Sequence, residues 1–179
     1  MKKIAAAVLG TCAVTMMLVR SAHDSGPQSS QWRSARRAYL QHLPHLRNRR
    51  YVLLIDYTKP IFMKRLWVID MTTKQPVLST YVTHAYRSGL IYATRFSNDQ
   101  GSEKSSLGSY ITQSVYTASY GRAMRLIGVD ASNDHALERN IVVHTARYPF
   151  SRACFATAGR DNERIIELMK GGALVYVAR

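Results

Sequence analysis

A mostly β fold carrying one or two short helices is predicted by three features of this chain. Seven short runs rich in β-branched and aromatic residues follow Tyr51, turn-forming residues separate them, and only one segment reads as a full amphipathic helix. The strand runs are Tyr51 to Tyr57, Arg65 to Met71, Pro76 to His84, Tyr110 to Thr117, Ala123 to Val129, Ile141 to His144 and Ala173 to Val177. Strands this short, this closely spaced, predict a sandwich or a barrel. The helix covers 161–170, with Asp161 as N-cap, Glu163 in the first turn, an apolar stripe of Ile165, Ile166 and Met169, and Gly171-Gly172 ending it. Asn133 to Arg139 reads as one or two further helical turns. No internal repeat and no glycine-rich phosphate loop is present in the sequence.

Upstream of the strands the composition changes twice. Met1-Lys2-Lys3 is a short basic start, and Ile4 to Val19 is an uncharged run ended by Arg20. Residues 1–22 therefore read as a secretory signal peptide or a retained N-terminal membrane anchor, although the run is under the roughly 20 residues that span a bilayer comfortably. Either way the expectation is export, to the periplasm or cell envelope, with inner-membrane attachment if the segment is kept. Cys12 lies inside this run, where Thr11 replaces the glycine or alanine of a lipoprotein signal, and is read as a passenger there. Residues 23–50 read as a basic linker containing a short amphipathic stretch, with Arg33, Arg36, Arg37, Arg47, Arg49 and Arg50. His42 and His45 share that segment, but Pro44 between them and the lack of nearby acidic or cysteine ligands argue against a metal site. Residues 51–179 remain as one domain with a real core.

The formal charge of the 179 residues is +14, and setting aside Lys2, Lys3 and Arg20 leaves 22 basic against 11 acidic residues. Such a surface favours polyanions. With export expected and no base-reading motif present, these are anionic lipid or envelope polymers and not nucleic acid. No cofactor motif appears.

Beyond the leader the chain has one cysteine, Cys154, ten positions after His144. A free thiol, pKa about 8.5, is mostly protonated at neutral pH, and a neighbouring imidazole can take its proton, so the pair suits acyl transfer. Backbone N–H groups of a turn at the nucleophile supply an oxyanion hole, each donor worth about 3 kcal/mol. The competing reading is a buried thiol acting as a small hydrophobe beside a strand-end histidine. A lone cysteine in an oxidising compartment has no structural disulfide to form, which favours the chemical reading.

Thr94-Arg95-Phe96-Ser97-Asn98, Gly101-Ser102, Ser105-Ser106-Leu107-Gly108-Ser109-Tyr110, Arg125-Leu126-Ile127-Gly128, Asn133-Asp134 and Ile141-Val142-Val143-His144 together resemble the motif series of the murein L,D-transpeptidase catalytic-domain family, related to the YkuD enzymes. The resemblance runs over most of Lys59 to Val177. It implies a β-sandwich whose cysteine attacks the bond between an L-configured centre and D-alanine in a peptidoglycan stem peptide. The resulting thioester passes to the amine of a neighbouring stem, or to water.

Carried over, the resemblance makes Cys154 the nucleophile and His144 its general base. Ser151 shapes the turn or orients the histidine, and Ala153 lies at the oxyanion turn. Substrate-groove positions would be His84, Asn98, Ser102, Ser106 and Arg125, the last meeting a stem carboxylate. The chain departs from the family at Ala153 and Phe155, where glycine and proline are usual, and in a shortened loop, Thr145 to Phe150. These departures leave three outcomes for the function: an L,D-transpeptidase, an L,D-carboxypeptidase releasing D-alanine, or a catalytically impaired basic wall-binding protein.

Overall fold

The computed structural model describes residues 26–179. The expected leader at 1–22, Cys12 and the first residues of the expected linker, 23–25, lie outside the described residues. Among the described residues eight strands form one sheet: β1 (Tyr51–Asp56), β2 (Leu66–Asp70), β3 (Gln75–Thr80), β4 (Gly108–Ala118), β5 (Gly121–Gly128), β6 (Val142–Thr145), β7 (Phe155–Thr157) and β8 (Leu174–Ala178). Their order across the sheet is β3-β2-β1-β8-β4-β5-β6-β7. Among the described residues two α-helices, α1 (Ser29–His42) and α2 (Gly159–Met169), complete the mostly β architecture expected from the sequence.

Each of the seven expected runs overlaps a strand, while β7 falls outside all of them. The run expected at Pro76 to His84 pairs with β2 only through Thr80; beyond it the chain runs beside β7, where Thr83 N–H donates to the Ala156 carbonyl at 3.0 Å. Strands β1 and β8 pair in parallel, as do β6 and β7, while the remaining neighbours are antiparallel. The register of β4 against β5 shifts between Thr112 and Val115, a bulge that breaks the long hairpin. One core collects Leu53 and Ile55 of β1, Leu66 and Val68 of β2, Met124 and Leu126 of β5, Val143 of β6, Phe155 of β7, and Ile165, Ile166 and Met169 of α2. Because both ends of the strand order feed this core, the sheet curls around it and the section through it is sandwich-like.

The other face of β1 and β2 also needs cover. Val52, Leu54, Trp67 and Ile69 alternate with the core residues above, so these strands read as continuous apolar runs rather than alternating ones. Helix α1, within the segment 23–50 expected as a basic linker with a short amphipathic stretch, supplies that cover. Gln31, Ala35, Ala38 and His42 face inward at helical spacing, and the alanines allow close approach to Leu54, Trp67, Ile69 and Val52. Downstream, the Asn48 side-chain amide donates to the carbonyls of Leu168 and Lys170, at 2.8 and 3.1 Å, tying the segment after α1 to the end of α2.

Helix α2 begins two residues earlier than expected. Ala158 is its N-cap, and Asp161 sits in the first turn, where its carboxylate accepts the Thr80 hydroxyl. The expected stop is found: Gly171 has φ of +87° with open space around its Cα, so glycine serves the backbone conformation rather than packing. The turns expected at Asn133 to Arg139 reduce to a short 3-10 segment, Asp134–Ala136.

Packing of α1 on the sheet has a direct test. Ala35→Asp would bury an unpaired carboxylate against Leu54 and Ile69 and is expected to cost about 3 kcal/mol or more, whereas Arg36→Asp on the exposed face should stay within about 0.5 kcal/mol. Denaturant titration separates the two; equal effects would contradict a packed helix.

Candidate active site

The parallel register of β6 and β7 decides which side chains meet. Val143 is partnered with Phe155 and His144 with Ala156. Side chains alternate along each strand, so Val143 and Phe155 enter the core while Val142, His144, Cys154 and Ala156 share the opposite face. That face is the floor of a cleft of about 920 Å³. Its walls include Tyr86, Tyr116, Tyr120, Tyr148 and Phe150, and its rim carries Glu103, Arg147 and Arg152. The ten-residue separation of His144 and Cys154 is thus a turn that brings the chain back alongside itself.

His144 Nδ1 lies 2.8 Å from the carbonyl of Thr145. A carbonyl only accepts, so Nδ1 carries the proton and the neutral ring keeps its lone pair on Nε2. Tyr120 stands against the same ring, the two centroids 5.0 Å apart. Its phenol meets that of Tyr116 at 3.0 Å, and Arg125 lies over the Tyr116 ring at 4.6 Å. Burial lowers the His144 pKa below the ordinary imidazole value, opposed by the Thr145 hydrogen bond. The Tyr120 phenol is pushed up to about 12, chiefly by its hydrogen bond with Tyr116.

Cys154 is half-buried, and its thiol points to the Asn140 carbonyl at 3.5 Å. Burial pushes the thiol pKa up, while a backbone hydrogen bond from Val142 and the charge of Arg139 pull it down. The thiol moves up and the imidazole down, so at neutral pH the resting pair is a neutral thiol beside a neutral imidazole.

The turn before Cys154 is pinned from several sides. The Ser151 hydroxyl donates to the Cys154 carbonyl at 2.6 Å, Ser151 N–H donates to the His84 carbonyl at 3.0 Å, and Tyr86 N–H donates to the Ser151 carbonyl at 2.9 Å. Ser151 therefore shapes the turn, and the histidine is oriented by Thr145 instead. Ala153 turns its methyl into the core and is not among the residues with positive φ, so it meets no backbone strain at the position where the family usually has glycine. Phe155 is fully buried and meets Tyr110 edge-on at 5.5 Å.

The expected groove residues fall elsewhere. His84 is buried, with Nδ1 accepting from Arg65 at 2.8 Å and Nε2 donating to the Gly89 carbonyl at 2.9 Å. Asn98 donates to the Ala131 carbonyl and to Asp134, at 3.2 and 2.6 Å. Ser102 and Ser106 both accept from Arg139, at 3.3 and 3.2 Å, and Ser106 also meets the Tyr110 hydroxyl at 2.8 Å. None of the four lines the cleft, because each is spent holding a loop. Arg125 stands behind Tyr116 rather than in the lining. Arg139 was missed: its guanidinium gathers Ser97, Ser102, Lys104 and Ser106 while its charge reaches Cys154. An arginine in a polar segment gives no sequence signal of such a role.

A thiol and a fixed imidazole lining the same cleft of a curled, mostly β domain fit a protein of the YkuD type. Comparison with known proteins gives that type a family: the model of the L,D-transpeptidase catalytic domain matches residues 24–178, and the chain belongs to that family of cysteine-dependent L,D-transpeptidases. No curated protein matches it. Among solved structures it is similar to a variant of the helical cell shape determining protein Pgp2 from Campylobacter jejuni, at 14% identity and a TM-score of 0.52, covering 85% of this chain and 56% of that one. It is also similar to an L,D-transpeptidase from Stackebrandtia nassauensis, at 11% identity and a TM-score of 0.44, covering 71% of this chain and 54% of that one. The chain thus spans about half the length of these solved chains.

The protonation state of the pair is open to measurement. Alkylation of Cys154 by iodoacetamide in the substrate-free protein should rise with pH, with its midpoint above the ordinary thiol range, and Arg139→Gln should move that midpoint further up. A plateau already reached in mildly acidic solution would mean a resting thiolate–imidazolium pair.

Proposed function

We propose that the protein is a peptidoglycan L,D-transpeptidase acting through a thioester on Cys154. The observation that carries this reading is the shared cleft face of Cys154 and His144, with Nε2 left as the proton acceptor, in a member of the L,D-transpeptidase family. His144 takes the thiol proton as sulfur attacks the stem carbonyl. The C–N bond then breaks, the proton passes to the departing D-alanine amine, and the acyl group stays on sulfur. An amine of a neighbouring stem attacks next, His144 removes its proton, and the thiol is restored. In this reading the backbone N–H groups of the turn at Ala153 and Cys154 serve as the oxyanion donors. The aromatic walls give the stem apolar cover that excludes water and favours the amine as acceptor.

Peptidoglycan places the site of action outside the cytoplasm, and the uncharged run after Lys2 and Lys3 suits that export. The exposed Arg33, Arg36, Arg37 and Arg47 suit contact with anionic envelope polymers or lipid headgroups.

Incubation with a tetrapeptide-stem muropeptide, followed by intact-mass measurement at short times, should reveal an acyl adduct absent from Cys154→Ala. His144→Ala should slow adduct formation by about 100-fold or more. D-Alanine release without cross-linked product would make the protein a carboxypeptidase. Absence of any adduct on a folded, alkylatable protein would leave only wall binding.

A further inference from the structure

We propose that Arg152, positioned by Glu103, forms a subsite at the mouth of the cleft that binds a free carboxylate of the stem peptide. The inference rests on the reading of Cys154 as a nucleophile toward stem peptides and adds what the site selects.

Five guanidinium groups surround the cleft, and four are already engaged. Arg139 is held by four oxygens of the Ser97 to Ser106 loop. Arg125 lies on the Tyr116 ring, and Arg147 donates to the Ser119 carbonyl. Arg87 meets Glu103 at 3.3 Å and lies over the Tyr86 ring at 5.9 Å. Arg152 differs. Its only recorded partner among the described residues is Glu103, which approaches through Nε at 3.8 Å and leaves both terminal nitrogens unpartnered. Those two nitrogens are the half of a guanidinium that grips a carboxylate with paired hydrogen bonds.

Placement supports the role. Arg152 lies two residues before Cys154, with the intervening Ala153 turned into the core, so both flanking side chains line the cleft. Glu103 is the single acidic residue in the lining. It is fixed more firmly than a rim charge requires: its φ is +51°, its carbonyl accepts Arg87 N–H at 3.2 Å, and its carboxylate spans Arg87 and Arg152. An exposed ion pair alone stabilises little and does not offset a left-handed glutamate. The ion pair with Glu103 at 3.8 Å biases Arg152, whose side chain is 91% exposed, toward the cleft mouth and so reduces the rotamer freedom lost when a ligand arrives. A tetrapeptide stem offers its C-terminal carboxylate, and an acidic diamino residue offers a second.

The test compares tetrapeptide stems amidated at one carboxylate at a time. For the unmodified protein, amidating the carboxylate that is read should lower kcat/KM by about 10- to 100-fold, as expected for a charged hydrogen-bonded contact; the stem that suffers this loss identifies which carboxylate it is. Arg152→Gln should bring that ratio to about twofold or less, Arg152→Lys should restore part of it, and Glu103→Gln should raise KM more than it lowers kcat. Indifference of the unmodified protein to both amidations, or an unchanged ratio in Arg152→Gln, overturns the subsite. Binding of the same stems to the Cys154→Ala protein repeats the comparison without turnover. A preference for the free carboxylate there, lost on adding Arg152→Gln, upholds the subsite even if no thioester forms and the transpeptidase reading fails.

Discussion

The buried guanidinium of Arg65 is the interaction on which the site depends. It has no solvent exposure, yet its hydrogen bonds go to backbone oxygens and one imidazole. Nε and Nη2 donate to the Val82 carbonyl at 3.0 and 2.8 Å, Nη1 donates to the Lys59 carbonyl at 3.1 Å, and Nη2 donates to His84 Nδ1 at 2.8 Å. Its plane lies 4.8 Å from the Tyr57 ring centroid. Desolvation brings its pKa down to about 10, which still leaves the group charged at neutral pH. A buried charge is tolerated only when its hydrogen bonds are made, so the 82–84 segment is fixed where those acceptors are needed. From there the order passes outward. Thr83 pairs with Ala156, the His84 carbonyl receives Ser151, and the thiol turn is set between them. His84, which the sequence suggests as a groove residue, is a relay between this buried charge and the turn.

Parallel pairing of β6 and β7 then does what no single residue does. It needs a returning connection between strands only four and three residues long, and the turn that makes this return carries Ser151 to Cys154. Alternation puts core residues and site residues on successive positions of the same strands. A change at Val143 or Phe155 is therefore felt at His144 and Cys154, which explains why the usual proline after the nucleophile can be replaced by a phenylalanine that fills the core against Tyr110.

Much of this was legible in the sequence, and the omissions have physical causes. The runs that became β1, β2 and β8 announce themselves because both of their faces are buried, and Cys154 with His144 could be singled out by residue type alone. Strand β7 has only three residues, Phe155–Thr157, too few for a period to register beside the cysteine. Helix α1 reads as a linker because its inward positions are Gln31, Ala35, Ala38 and His42, which have helical spacing but no apolar stripe. Asn98, Ser102 and Ser106 belong to the family motifs, and a motif does not distinguish a residue that touches ligand from one that holds a loop. Their hydrogen bonds assign them to the second role.

Backbone conformation adds a last constraint on the thiol. Of the three non-glycine residues with positive φ among the described residues, Lys74 turns the β2–β3 hairpin, while Glu103 and Asn140 line the cleft. Asparagine adopts this conformation more readily than most residues, and at 140 it turns the chain from the loop into β6, aiming its carbonyl at Sγ. That carbonyl is satisfied only by a protonated thiol. The adjacent Arg139 favours the thiolate, but burial outweighs it. Two neighbouring residues thus act in opposite directions on one sulfur, and the resting state they leave is the thiol. Oxidation proceeds from the thiolate, so a cysteine held protonated is less open to it.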